Sequence, residues 1–451
     1  MQTPDTTVSP RPVGARRIAV IGSGYVGLTL SACLARFGHR VTCTDKSAER
    51  LLRLASGDVP IVEDGLTQLV TEMLASARLD FRRDNVEATS SAEFVFLCLP
   101  TPEGADGAAD LTHVLAVATE IGPHLPEGAT VVTKSTVPVG TSALVEGALG
   151  RADVHVASNP EFLAEGSAVR DCLEPDRIVV GARRADVAEA VAALYGPGAL
   201  ARSLITDLRS AELVKYASNA YLATRLTFVN SIAQLCESLD ADIRSVVAGM
   251  GSDRRIGPAF LRPGPGWGGS CFPKDTMALL RTAEAWGLDL ALVRTAIAAN
   301  EEHRLRVVAR AVEALGGDAA GMRVAVWGLT FKAGTDDLRH SPALQIAETL
   351  AQLGAEVRAY DPTVPAGALG RIEVHPTPAD ACEGADLLLV GTEWPEFASL
   401  DFERLSVTFR QPMIFDARNL LDPVLVESAG FAYIGIGIPR SRHSNVERAL
   451  A

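Results

Sequence analysis

Arg17-Ile18-Ala19-Val20-Ile21 is a short apolar β-type run that ends on a glycine-rich turn, Gly22-Ser23-Gly24-Tyr25-Val26-Gly27. Helix-like sequence follows from about Tyr25 to Phe37, and a second β-type run, Arg40 to Thr44, ends at Asp45. Further runs of this kind are Phe94 to Leu99, Thr130 to Lys134, Val154 to Ser158 and Arg177 to Val180, with helical segments between them. Strands that alternate with helices imply a parallel, doubly wound sheet.

From about Thr206 to Met250 the pattern changes. Proline is absent, glycine is scarce before Gly249, and apolar residues recur at helical spacing, which predicts one long helix and its continuation. A Gly/Pro-rich loop, Pro263 to Pro273, follows, and then helices to about Ala314. At Met322 the alternation restarts. Arg323-Val324-Ala325-Val326-Trp327-Gly328 echoes Arg17 to Gly22, Val357 to Asp361 echoes Val41 to Asp45, and Ala385 to Val390 echoes Phe94 to Leu99. The expected fold is α/β: two Rossmann-like doubly wound domains joined by a long-helix central region. The expected divisions are a disordered tail at 1–15, a first domain at 16–205, a central helical region at 206–320 and a second domain at 321–451.

The acidic net charge of −13, with no basic block, disfavours nucleic acid as a partner. No apolar run approaches roughly 18 residues, so no membrane span is expected. Seven widely spaced cysteines without a CxxC pair, and scattered histidines, fit a reduced cytoplasmic chain without a disulfide framework or a metal. Lysine occurs only five times, and Lys134, Lys215, Lys274 and Lys332 all fall in the motifs below.

Gly22-x-Gly24-x-x-Gly27 is weak evidence alone. Here it follows a strand, opens a helix and precedes Asp45 at the end of the second strand. Glycines let the backbone approach a pyrophosphate, and the helix N-terminus stabilises its charge. Asp45 suits a ribose 2′-hydroxyl and so favours NAD over NADP. The bland alternative is a tight turn in a nonbinding domain. Gly328-Leu329-Thr330-Phe331-Lys332 lacks the fingerprint, so the second domain is expected to bind something else.

The most informative stretch is Gly264-Pro265-Gly266-Trp267-Gly268-Gly269-Ser270-Cys271-Phe272-Pro273-Lys274-Asp275. Its glycines can fold closely around a ligand. A helix is expected to begin at about Lys274, which puts Cys271 just before a helix N-terminus and near an ammonium; both favour a thiolate. The other six cysteines read as inert buried hydrophobes. Lys215 and Asn219, spaced i, i+4, share a helix face and could clamp one oxygen; the alternative is a solvated polar stripe. Thr136 and Glu161 lie after strands, where a parallel sheet opens to ligands; the alternatives are helix capping and turn formation.

Together these segments resemble the nucleotide-sugar dehydrogenase family, most closely its members acting on UDP-glucose. The resemblance spans nearly everything after Arg16. It rests on the Gly22 loop, Lys134 to Thr141, Asn159 to Leu163, Lys215 to Ala220, Gly268 to Asp275, Phe331-Lys332 and Thr335 to Arg339. It implies a four-electron oxidation of a sugar C6 alcohol to a carboxylate, as in UDP-glucose to UDP-glucuronate, with two NAD+ consumed. Cys271 would hold the aldehyde as a thiohemiacetal and then a thioester. Lys215 and Asn219 would stabilise the oxyanion, Asp275 with Thr136 would organise water, and Glu161 would serve acid–base steps.

The same resemblance puts Gly22, Gly24, Tyr25, Val26, Gly27, Asp45, Arg50, Thr101, Thr136, Glu165, Lys274 and Arg339 on NAD. It puts Glu161, Phe162, Leu163, Lys215, Asn219, Phe260, Arg262, Gly264, Gly268, Lys332 and Arg418 on the nucleotide sugar, with Arg255 reaching it from a neighbouring subunit. A homodimer or higher oligomer is therefore expected. Departures are Trp267 in place of phenylalanine, Ser231 after Asn230 where many relatives carry glutamate, and Arg50 for a cofactor-side lysine. Competing readings are the same reaction on dTDP-glucose, GDP-mannose or UDP-N-acetylmannosamine, a two-electron hydroxyacid dehydrogenase that would need no Cys271, and a nonenzymatic NAD- or nucleotide-sugar-binding regulator.

Overall fold

The computed structural model describes residues 14–104 and 107–439. The tail expected at 1–15 thus lies, apart from its last two residues, outside the described residues. The chain divides into two compact units. One runs to Ser218 and takes in Met277–Trp286; the other comprises Asn219–Thr276 and the chain from Gly287 onward.

The first unit holds an eight-stranded sheet: β1 (Arg17–Ile21), β2 (Arg40–Thr44), β3 (Leu79–Arg82), β4 (Phe94–Leu97), β5 (Thr130–Thr133), β6 (His155–Ser158), β7 (Ile178–Ala182) and β8 (Ser203–Thr206). Its order is β3-β2-β1-β4-β5-β6-β7-β8. The strands alternate as a pleat requires. Ile18, Val20, Phe94 and Phe96 enter one core, packed with Leu28, Leu30 and Leu34 of the helix Tyr25–Arg36. Ala19, Ile21, Val95 and Leu97 enter the core on the opposite face, with Val114, Val117 and Ile121. One junction departs from the all-parallel expectation: β6 and β7 pair antiparallel, with Ala157 opposite Ala182. Their connection carries only the six-residue helix Ala168–Leu173, and the chain returns alongside β6 in the reverse direction.

The second unit repeats the plan with β9 (Arg323–Trp327), β10 (Glu356–Tyr360), β11 (Gly367–Leu369), β12 (Ile372–Val374), β13 (Leu387–Val390), β14 (Met413–Asp416) and β15 (Ala432–Gly435). The order is β11-β12-β10-β9-β13-β14-β15. Without the short antiparallel β11, this is the strand order of the first six strands of the other sheet. Val324 and Val326 face one core and Ala325 and Trp327 the other.

The expected long helix is Leu208–Leu239, 32 residues. Its continuation is the separate helix Ile243–Gly251, divided from it at Asp240, whose φ is +56°, and capped by the Asp242 carboxylate, which accepts from the Arg244 N–H. The helix after the glycine-rich loop is Phe272–Ala285; it starts slightly before the expected Lys274 and leaves Cys271 immediately ahead of it. Pro273 does not prevent the earlier start, because a first-turn residue has no intrahelical N–H partner to lose.

Candidate active site

The loop after β1 has the geometry that the fingerprint requires. Gly22 has φ +104°, and a Cβ on it would lie 2.4 Å from the Cys98 carbonyl oxygen. A Cβ on Gly27 would lie 1.9 Å from the Gly22 oxygen, so this glycine permits the close contact of helix and turn. Gly24 faces open space, and no side chain caps the helix it begins. Tyr25 and Val26, half-buried, form its first turn. Asp45 accepts from the Ser23 hydroxyl at 2.6 Å and the Ser47 N–H at 2.9 Å. Partial burial pushes its carboxyl up, but the Ser23 hydroxyl, the Ser47 and Ser23 amides and the Arg50 charge hold it below its ordinary value. Arg50 Nε is buried without a hydrogen-bond partner.

Two residues expected on the cofactor tie neighbouring loops together: the Thr101 hydroxyl donates to the Thr136 carbonyl at 2.9 Å. The Tyr25 hydroxyl is bonded to Glu63, a buried carboxylate that also accepts from the Gly166 and Ala168 amides at 2.6 and 2.7 Å. Glu165 is half-buried, and its charge acts on Tyr25.

The Glu161 carboxylate forms a buried pair with the Lys215 ammonium at 2.7 Å, the side chains being 6% and 5% exposed. Its other oxygen accepts from the Leu163 N–H at 2.7 Å, and the Phe162 ring lies under the ammonium with its centroid 5.6 Å away. Burial pushes the Glu161 carboxyl up, but Lys215, the Leu163 amide and the Lys134 charge outweigh it and hold the group below its ordinary value. Lys134 is itself buried, donating to Asn159 Oδ1 and the Tyr195 hydroxyl at 3.1 and 2.9 Å. Burial pushes its ammonium down. It supports the strand-end loops from beneath.

One helical turn beyond Lys215, Asn219 donates to Asp275 Oδ2 at 2.6 Å. Asp275 is fully buried, and its other oxygen accepts from the Lys274 ammonium at 2.5 Å. The Cys271 carbonyl accepts the Asp275 N–H at 2.9 Å, so Cys271 is the N-cap residue of the helix Phe272–Ala285. Its thiol is half-buried, 3.6 Å from the Ser270 hydroxyl. The helix end is a site of positive potential where charge developing on sulfur is stabilised.

The glycines of this loop approach the chain itself. A Cβ on Gly268 would lie 1.9 Å from the His340 carbonyl oxygen, and one on Gly269 would strike the Phe331 ring. The Gly264 N–H donates to Asn230 Oδ1 at 2.9 Å. Arg418 donates to the Gly391 and Phe331 carbonyls at 2.9 and 2.8 Å, and Lys332 Nζ lies 5.7 Å from the Phe331 ring centroid. Phe260, 43% exposed with φ +56°, packs against Phe272. Arg262 is exposed. Arg339 pairs with Asp337 and Arg255 with Asp253, the two arginines being largely exposed. In the second sheet Asp361 Oδ2 accepts from Leu329 N at 2.8 Å and Trp394 Nε1 at 3.2 Å, filling the turn that corresponds to the Gly22 loop.

The chain belongs to the UDP-glucose/GDP-mannose dehydrogenase family. The family's NAD-binding domain matches residues 16–198, its central domain 209–302 and its UDP-binding domain 325–423. The chain is 44% identical to a UDP-glucose 6-dehydrogenase of Pseudomonas aeruginosa, over 96% of this chain and all of that one. A UDP-glucose dehydrogenase structure from Pyrobaculum islandicum superposes with a TM-score of 0.85 at 35% identity, covering 95% and 99% of the two chains. A UDP-D-ManNAc dehydrogenase structure from Pyrococcus horikoshii gives 0.82 at 29%, covering 93% and 99%.

Several supporting residues carry no motif and were missed in the sequence. Glu63 and Tyr195 are examples. Glu212, buried on the Lys215 helix, accepts from Gly140 N, Ser142 N and Ser142 Oγ at 2.6, 2.8 and 2.6 Å, capping the helix Thr141–Leu149. Its place one turn before Lys215 was the available signal. Among the described residues no group of three or more His, Cys, Asp or Glu is gathered as metal ligands, and no helix is long and apolar enough to cross a membrane.

Proposed function

We propose that this chain oxidises the C6 alcohol of UDP-glucose to the carboxylate of UDP-glucuronate, in two oxidation stages that each consume one NAD+. The observation that carries this reading is Cys271 at a helix N-cap, in one motif with Lys274 and the buried Asp275, to which Asn219 of the long helix donates. An alcohol-to-aldehyde oxidation needs only a base and a hydride acceptor; continuing to the acid needs a nucleophile that holds the aldehyde as a tetrahedral adduct, and Cys271 can supply it.

The residues of the first loop fit NAD: Gly22 and Gly27 admit no side chain, Gly24 opens onto an uncapped helix end, and the buried Arg50 Nε lacks a partner. Gly22, Gly24, Tyr25, Val26 and Gly27 would hold the pyrophosphate, and Asp45 and Arg50 the ribose end. Thr101, Thr136, Glu165, Lys274 and Arg339 complete the assignment. Bound there, NAD supplies the hydride acceptor for both stages.

Cys271 Sγ adds to the C6 aldehyde, giving a thiohemiacetal. Lys215 and Asn219 stabilise the developing oxyanion. An ammonium carries three donors and an amide two, so each serves a carboxylate and an oxyanion together. Oxidation of the adduct leaves a thioester. Asp275 and Thr136 organise the attacking water, and Glu161, held as a carboxylate by Lys215, accepts a proton while sulfur departs. Phe162, Leu163, Phe260, Arg262, Gly264, Gly268, Lys332 and Arg418 bind the nucleotide sugar.

A second copy of the chain is the proposed partner. The long helix exposes Leu213, Tyr221, Phe228 and Leu235 at seven- or eight-residue spacing, which is one helix face. Exposed Arg255 would reach the neighbouring subunit's substrate. A cytoplasmic location suits a chain in which none of the seven cysteines is in a disulfide.

Substrate choice is tested by kcat/KM with UDP-glucose, dTDP-glucose, GDP-mannose and UDP-N-acetylmannosamine. UDP-glucose is expected to exceed each by roughly tenfold or more. A higher value with dTDP-glucose would keep the reaction and change the base. No turnover with any would favour a binding protein.

A further inference from the structure

Trp267 is held at its backbone by a single side chain. Asn300, on the helix Ala291–Ala314, accepts the Trp267 N–H at 2.9 Å and donates to the Trp267 carbonyl at 3.0 Å. One amide thus meets both polar groups of one residue, as a neighbouring strand would. Asparagine combines an acceptor and a donor in one short planar group; aspartate, leucine and alanine each lose at least one of the two bonds.

The surrounding geometry restricts the loop to this docking. Gly266 has φ +126°, and a Cβ there would lie 3.0 Å from Asn300 Oδ1. One turn along the same helix, His303 Nε2 bonds to the Gly264 carbonyl at 2.8 Å. The Trp267 indole N–H donates to the buried Thr227 hydroxyl at 2.9 Å. Its ring meets Phe272 edge-on at 6.3 Å, and Phe272 directly follows Cys271. Only three residues separate Trp267 from Cys271, so a shift in the tryptophan backbone is passed to the sulfur with little chain to absorb it.

We propose that Asn300 is a positioning residue for Cys271: its paired hydrogen bonds to Trp267 set where the sulfur stands relative to the C6 aldehyde. This rests on the reading of Cys271 as the nucleophile. The effect belongs to kcat and to aldehyde capture, because Asn300 contacts a backbone and is assigned no ligand.

The test compares the full-length protein with Asn300→Ala, Asn300→Asp and Cys271→Ala. Asn300→Asp keeps the acceptor for the Trp267 N–H, loses the donor to its carbonyl and is nearly isosteric, so it decides the matter if the alanine variant does not fold. The readouts are kcat and KM for UDP-glucose and NAD, NADH per limiting sugar, released aldehyde, and the rate of Cys271 alkylation by iodoacetamide, mapped by peptide mass. We expect Asn300→Ala to lower kcat roughly 10- to 100-fold, as expected for a nucleophile displaced by about an ångström. KM for NAD should stay within about twofold. NADH per sugar should fall from two toward one with aldehyde released, the alkylation rate should change, and Asn300→Asp should lie between. Folded Asn300 variants with wild-type kcat, stoichiometry and alkylation rate would overturn the positioning role. Complete two-NADH turnover by Cys271→Ala would instead overturn the nucleophile reading, and the proposal with it.

Discussion

Lys215→Met removes the ammonium from Glu161 and leaves a carboxylate where both partners are only about one-twentieth exposed. Removing one member of a buried pair costs about 3–5 kcal/mol, because the remaining charge is neither hydrated nor paired. The pH dependence gives the sharper signature. In the wild type the Glu161 carboxyl lies below its ordinary value. Its contribution is therefore fully present above the unfolded carboxyl value, about 4.3, and is lost as pH falls through the folded value. In Lys215→Met the opposing burial effect is left with the Leu163 amide and Lys134 to offset it, and the folded value rises. The folded state then binds the extra proton, and stability falls as pH rises above the unfolded value. Urea unfolding at pH 5 and pH 8, followed by far-UV circular dichroism, measures this. The variant should lose about 3–5 kcal/mol at pH 8 and less at pH 5. Lys215→Met/Glu161→Gln should recover part of the loss, as removal of both charges does elsewhere. A loss below about 1 kcal/mol, the scale of an exposed pair, or equal losses at both pH values, would refute the reasoning.

Gly22→Ala forces a Cβ to 2.4 Å from the Cys98 carbonyl at a φ that disfavours alanine; NAD titration should show binding weakened roughly tenfold or more, with stability lower by about 1–3 kcal/mol. Glu212→Gln replaces a carboxylate accepting three hydrogen bonds with an amide; denaturant unfolding should record a loss of about 2–3 kcal/mol. Phe228→Glu places a charge on the exposed stripe of the long helix; sedimentation at micromolar concentration should show an assembled wild type and a dissociated variant, and a monomeric wild type would remove the proposed interface.

The sequence was most informative where structure follows from neighbours along the chain. The run Arg40–Thr44 was readable to the residue because alternating Val41 and Cys43 with β-branched Thr42 and Thr44 led to an aspartate that the turn could use. The run expected to Leu99 ends as a strand at Leu97: the Cys98 N–H still reaches the Ile21 carbonyl, but the Cys98 carbonyl lies at the turn that Gly22 approaches. The antiparallel β6/β7 junction was not legible, since pairing direction depends on how the connection returns and not on composition. At the site, the i, i+4 spacing of Lys215 and Asn219 was visible, but their engagement by Glu161 and Asp275 was not. Those partners lie 54 and 56 residues away along the chain. The Asn300 clamp was invisible for the same reason: nothing local marks an asparagine in a helix as the mate of a backbone 33 residues earlier.

The central claim is that Cys271 carries the aldehyde to the acid. NADH formed per mole of limiting UDP-glucose tests it most directly, for the wild type and for Cys271→Ala. The account predicts two NADH per sugar and UDP-glucuronate from the wild type, with no complete turnover by the variant. One NADH with free aldehyde from the wild type, or two from Cys271→Ala, would contradict it.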